Sequence, residues 1–180
     1  MGSFAITAQQ NKEGDIISYY IVKPDKRITN AIHINMTKEQ LEQANEEVIM
    51  CDLGEKYLQM DYIMVRKLFS TFHLFSDGLK ELLEIYDETL EFYPIFLCDN
   101  QHMQSVVYWK CVCTALDCIA EGNYKSIDDV VFQSDKIGER FLFRVDFEKQ
   151  EYFVFDRVLT ENILRKEYIG ISFQKVKYMI

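Results

Sequence analysis

Apolar and polar positions along this chain follow two rhythms, and each change of rhythm marks an element. IISYYIV, Ile16 to Val22, is β-branched and aromatic and stops at Pro24, which predicts a strand entered through the turn KEGD. In AIHINM, Ala31 to Met36, Ile32 and Ile34 alternate with Ala31, His33 and Asn35, the period of a short strand with one buried face. The rhythm then lengthens. In TKEQLEQANEEVIM, Leu41, Ala44 and Val48 recur at helical spacing and Thr37 with Gln40 forms a capping box, so a helix is predicted from about Lys38 to Ile49. DYIMVRKLF, within Cys51 to Ser70, fits either a strand or a short helix.

TFHLFSDGLKELLEIY reads as a strand followed by a helix. Ser76 is the N-cap, Asp77 suits the positive helix end, and Leu79, Leu82, Leu83 and Tyr86 form one apolar stripe. Pro94 stands early in FYPIFL, where a first strand residue or an edge strand tolerates it. QSVVYWKCVCTALDCI predicts a central strand, and FLFRVDFEKQEYFVF predicts a hairpin. Asp156 caps a further helix from about Arg157 to Glu167, and ISFQKVKYMI after Gly170 is again strand-like. Two phrases therefore match: Phe75, Ser76, Leu79, Glu81 and Leu83 align with Phe155, Asp156, Leu159, Glu161 and Ile163. Internal duplication would produce this match, and so would convergence on a shared strand–cap–helix pattern.

These elements predict an α+β fold, a mostly antiparallel twisted sheet with helices packed on one face. The expected strands are Ile16 to Val22, Phe92 to Leu97, Val106 to Cys113, Phe141 to Asp146, Tyr152 to Phe155 and Ile171 to Lys177. A length of 180 residues suits one domain over the whole chain. The aromatic share of 14%, with 13 Phe and 11 Tyr, suits a sheet-rich interior and argues against disorder.

Charge narrows the classes of partner. With 29 acids against 20 Lys and Arg the formal charge is -9, so a phosphate backbone is repelled and a nucleic-acid partner is not expected. The acids are uneven. Seven of them (Glu39, Glu42, Glu46, Glu47, Asp52, Glu55 and Asp61) face the single Lys56, and six between Asp77 and Glu91 face only Lys80. Lys136 to Ile180, by contrast, holds nine bases and seven acids. Such runs are either solvated faces or an acidic docking surface for a basic protein. On the second reading Glu42, Glu46, Glu47, Asp52 and Glu55 are the candidate partner-binding residues. No signal peptide or run of eighteen apolar residues is visible, so a cytoplasmic protein without membrane association is expected.

Reactive constellations are sparse. His33, His73 and His102 stand apart, and His73 is either a general base beside Ser76 or Asp77 or a hydrogen-bonded structural histidine. Cys111 and Cys113 share one face of the expected strand, with Cys118 beyond, yet the four ligands of a closed zinc site are not assembled. Five cysteines without regular spacing are read as reduced thiols. Asp117, Glu121 and the Asp128-Asp129 pair offer carboxylates for acid–base or metal chemistry, or simply solvated turns. No phosphate-cradling or nucleophile motif occurs, so no catalytic residue, cofactor or metal is assigned. The alternative is a small hydrolase using His73 or the carboxylates of Asp117, Glu121 and Asp128.

The segments LFSDGLKELLE, VVFQSDKIGERFLFRV and YFVFDRVLTENILRKEYIGISFQKV, in this order, resemble immunity protein family 11 of bacterial polymorphic toxin systems. The resembling positions are Ser76 at the helix cap, Lys136-Ile137, Phe143-Arg144 and Gly170 to Phe173. Asp156 departs from the family's usual Ser, a swap capping chemistry tolerates, and Glu121 displaces an acid in ALDCIAEGNYKS. The family-like part is 66–180, and 1–65 is a variable N-terminal part. The resemblance implies a non-enzymatic cytoplasmic protein that binds and neutralises a cognate toxin, and the charge split suggests a basic one.

Overall fold

A computed structural model describes residues 9–10, 16–28, 48–55, 58–66 and 71–179. The protein is mixed α+β with strands predominating. The described residues fall into two compact units, one drawn from 1–23, 113–167 and 172–180 and the other from 24–112 and 168–171. The expected strand Ala31 to Met36 and most of the helix expected from Lys38 lie outside the described residues.

The second unit is built on a five-stranded sheet. Its strands are β4 (Val48–Met50), β5 (Tyr62–Arg66), β6 (Thr71–Phe75), β7 (Glu91–Asp99) and β8 (Gln104–Val112), in the order β4-β7-β8-β6-β5. QSVVYWKCV is thus central, as its apolar run implies. Val48 and Ile49, expected at the end of a helix, are instead strand residues paired in parallel with Phe96 and Leu97. Here β-branched side chains and a neighbouring strand outweigh a three-residue helical period. DYIMVR resolves as strand β5, antiparallel to β6. Pro94 lies beyond the stretch of β7 that β4 covers, consistent with edge placement.

Helix α1 (Asp77–Tyr86) follows β6 as expected. Ser76 has extended backbone angles, its Oγ accepts from the Leu79 N–H, and Leu79, Leu82 and Leu83 are buried. Asp61 reinforces this corner: its carboxylate accepts from Ser76 Oγ at 2.7 Å and from the Ile169 N–H at 2.7 Å. Gly170 is required beside it, because at φ 92° a Cβ would stand 2.6 Å from the Tyr62 carbonyl oxygen. On one side of the sheet Ile49, Ile63, Val65, Leu74, Ile95, Leu97 and Tyr108 form a core.

The first unit carries a four-stranded sheet of β3 (Tyr19–Pro24), β10 (Leu142–Phe147), β11 (Gln150–Asp156) and β12 (Ile171–Lys175), ordered β10-β11-β3-β12. Two smaller pairings accompany it: β1 (Gln9–Gln10) with β2 (Ile16–Ile17), and β9 (Val131–Gln133) in parallel with β13 (Lys177–Met179). The single expected sheet is therefore a correction: its six strands divide between two main sheets. Local periodicity specifies strands but not which strands share hydrogen bonds. Likewise IISYYIV breaks at Ser18, β2 pairing with β1 while β3 joins β11. A four-residue helix α2 (Ser134–Ile137) precedes β10. Helix α3 (Arg157–Arg165) is capped by Asp156, whose Oδ1 accepts from the Leu159 N–H at 2.8 Å.

The two matching phrases occupy corresponding places. Each is a hairpin, β5-β6 or β10-β11, then a capping residue and a helix, then a strand separated from the hairpin by one inserted strand. Phe75 and Phe155, Leu79 and Leu159, and Leu83 and Ile163 are all fully buried. The same local architecture is built twice, with β8 inserted in one unit and β3 in the other.

Candidate functional site

The acidic candidates converge on the loop between β7 and β8. The hairpin pairs Asp99 with Gln104, leaving Asn100 to Met103 to reverse the chain, with Met103 at φ 52°. Asp99 faces inward and is 3% exposed, so its charge needs internal donors. Four N–H groups supply them. Oδ1 accepts from the backbone of Gln101 at 2.9 Å and of His102 at 3.1 Å, and Oδ2 from the Leu53 backbone and from His102 Nδ1, each at 2.8 Å. The His102 bond foremost, with the backbone N–H groups of Leu53 and His102, holds the Asp99 carboxyl well below the usual range.

The segment after β4 closes on this loop. The Cys51 N–H donates to the Cys98 carbonyl at 2.9 Å, Leu53 is buried, and Asp52 accepts from the Gly54 N–H at 2.9 Å. Asp52 thereby brings Oδ1 to 3.9 Å from His102 Nδ1. Glu55 is exposed nearby. The bond to Asp99 raises the His102 pKa above its ordinary value, and the charges of Asp99, Asp52 and Glu55 add to the shift. Among the described residues, no Lys or Arg stands within ion-pair distance of Asp52 or Glu55.

This arrangement restricts the chemistry available. His102 donates through Nδ1 to Asp99, an orientation that could serve a general base acting through Nε2. Among the described residues, however, no hydroxyl or thiol is hydrogen-bonded to that ring. Burial pushes the nearby Cys51 thiol up to about 11, which leaves it protonated at neutral pH. Asp52, Asp99 and His102 place three ligating atoms within 4.8 Å, the one such group among the described residues. A cation there would have to displace the proton that His102 shares with Asp99, whose oxygens already accept four N–H groups. The group works best as an electrostatic latch, joining the β7–β8 loop to the segment after β4.

The sequence candidates separate accordingly. Asp52 and Glu55 lie on this loop cluster, while Glu42, Glu46 and Glu47 lie outside the described residues. Asp61, from the same acidic run, is engaged structurally at the Ser76 corner. His73 is buried in β6 with Nδ1 2.8 Å from the Tyr62 hydroxyl, and Ser76 is engaged with Asp61 and the helix start, so these two do not form a nucleophile–base pair. Asp117, Glu121 and Asp128 are exposed and belong to no three-ligand group, and Asp128 pairs with Lys23. Cys113 falls after the end of β8, so it does not share a strand face with buried Cys111. Asp99 and His102 were missed as candidates. Their Asp-x-x-His spacing was visible, but not Asp52 beside them.

Among the described residues, no helix is long and apolar enough to cross a membrane. No protein-family model matches this chain, and no curated protein matches it.

Proposed function

We propose that this protein is a non-enzymatic immunity protein that binds a basic toxin in the cytoplasm and neutralises it. The observation that carries this reading is the exposed pair Asp52 and Glu55, which the Asp99–His102 latch holds at one loop with no described Lys or Arg within ion-pair distance. A fixed cluster of predominantly negative charge raises the encounter rate of an oppositely charged partner and penalises wrong ones. The raised pKa of His102 is a second sign of the negative field there. The resemblance of residues 66–180 to immunity protein family 11 supplies the partner class, and the net charge of -9 favours a toxin of opposite charge.

The test begins with the adjacent reading frame. A large secreted chain with a C-terminal toxin domain is expected there, and co-expression should rescue cells from that domain. Association of the two purified proteins should slow as salt rises, and D52N/E55Q should slow it at low salt. A neighbouring frame that encodes no such chain overturns the reading. Association rates indifferent to salt remove its electrostatic part.

A further inference from the structure

On the proposal of a basic protein partner, a second feature of the same unit shows how that partner would be anchored. Strands in a half-solvated sheet ordinarily alternate core residues with polar ones. Strand β7 departs from that pattern. Ile95 and Leu97 enter the core, but the intervening outward residue is Phe96, 40% exposed. Its register partners are Val48 on β4, 39% exposed, and Val107 on β8, 37% exposed. Three apolar side chains thus stand in one row across three adjacent strands, on the face opposite Ile49, Ile95, Leu97 and Tyr108.

Helix α1 meets this face where the Lys80 ammonium stands 5.3 Å from the Phe92 ring centre and 5.0 Å from that of Trp109. The latch lies further along the same strand, with Asp99 on the core face. Asp99 is three residues beyond Phe96, or about 10 Å along the strand. Asp52 lies four residues beyond Val48, past the end of β4.

We infer that Val48, Phe96 and Val107 form the anchoring patch of the docking surface, seating an apolar side chain of the basic partner while Asp52 and Glu55 engage its lysines and arginines. An aromatic centre with a charged rim is the arrangement in which few side chains hold most of the binding energy. Charge selects this occupant over a second copy of the chain. A two-fold contact through the row would bring two acidic rims together, whereas a basic partner gains at both parts of the surface. The apolar row governs how slowly the complex dissociates, and the rim governs how quickly it forms.

The probe is the C-terminal toxin domain from the adjacent frame, inactivated by mutation and titrated against wild type, F96S/V107S and D52N/E55Q at low and high salt. Loss of the patch should weaken binding about thirtyfold at both salts, mainly through faster dissociation. D52N/E55Q should weaken it only at low salt, through slower association. Trp109 fluorescence and the unfolding midpoint verify the fold, and V107S alone or F96K serves if the double variant is destabilised. Tight wild-type binding that F96S/V107S and F96K leave unchanged overturns the patch and leaves the immunity reading standing. No wild-type binding overturns both. A concentration-dependent dimer that F96S/V107S dissolves also overturns the patch, by making it a self-interface.

Discussion

Replacing Asp61 by Ala tests whether one acid of the acidic run is structural while its neighbours are not. Asp61 accepts from Ser76 Oγ and from the Ile169 N–H, each at 2.7 Å, and Ser76 Oγ in turn caps α1 at Leu79. Hydrogen bonds to a charged acceptor contribute about 1.5–3 kcal/mol each. Because the carboxylate is only half-buried, water compensates in part, and a total cost of about 2–3 kcal/mol is expected. That corresponds to a fall in Tm of roughly 5–10 °C for a chain of this size. The exposed Glu55→Ala should stay within about 0.5 kcal/mol of wild type. The sole tryptophan reports directly, since Trp109 Nε1 donates at 2.6 Å to Asp77, the first residue of α1. Urea titrations followed by Trp109 emission should show a lower midpoint for D61A, with D61N intermediate because one carbonyl acceptor survives. If D61A and E55A titrate alike, the assignment of Asp61 as the clamp of this corner is wrong.

The remaining predictions concern the latch, two turns and the thiols. In the folded protein the pKa of His102 is raised above 6.5 and that of Asp99 lies below 3.8. The His102 contribution is complete below its unfolded value and is lost as pH rises through the raised one; the Asp99 contribution is complete above its unfolded value and is lost as pH falls through the depressed one. H102Q should therefore cost most stability between about pH 4 and 6.5, with the gap closing at higher pH. An NMR titration placing the wild-type ring below 6.5 refutes this.

Glu148 and Lys149 join β10 to β11 with φ of 49° and 64°, a two-residue reversal that favours Asn-Gly. E148N/K149G should raise stability by about 1 kcal/mol, and an unchanged midpoint would count against strain in that turn. G170A should destabilise by about 2–4 kcal/mol through left-handed strain and the clash with Tyr62, read as a lower urea midpoint. Buried Cys118, pushed up to about 12, should resist a thiol reagent in the native state, while half-buried Cys98 and Cys113 react before it. Equal labelling rates would contradict this.

The amino-acid sequence alone determined features encoded within a few residues. Ser76 and Asp156 announced their helices because a cap side chain reaches only N–H groups two or three residues on. The strands of 131–175 were legible for a similar reason, since alternation and turn residues are local signals. Asp52 and Glu55 were marked by the scarcity of bases around them, a property of composition.

The tertiary structure decided what depends on partners distant in the chain. Val48 became a strand because Phe96 lies alongside it, and the expected sheet became two because pairing is not written in any single strand. Asp99 lies 46 residues from the Leu53 N–H it accepts, and Asp61 lies 108 residues from Ile169. Burial across such separations turned one acid of the run into a clamp and left two others exposed at a latch, because a carboxylate's role follows from the donors that folding brings to it.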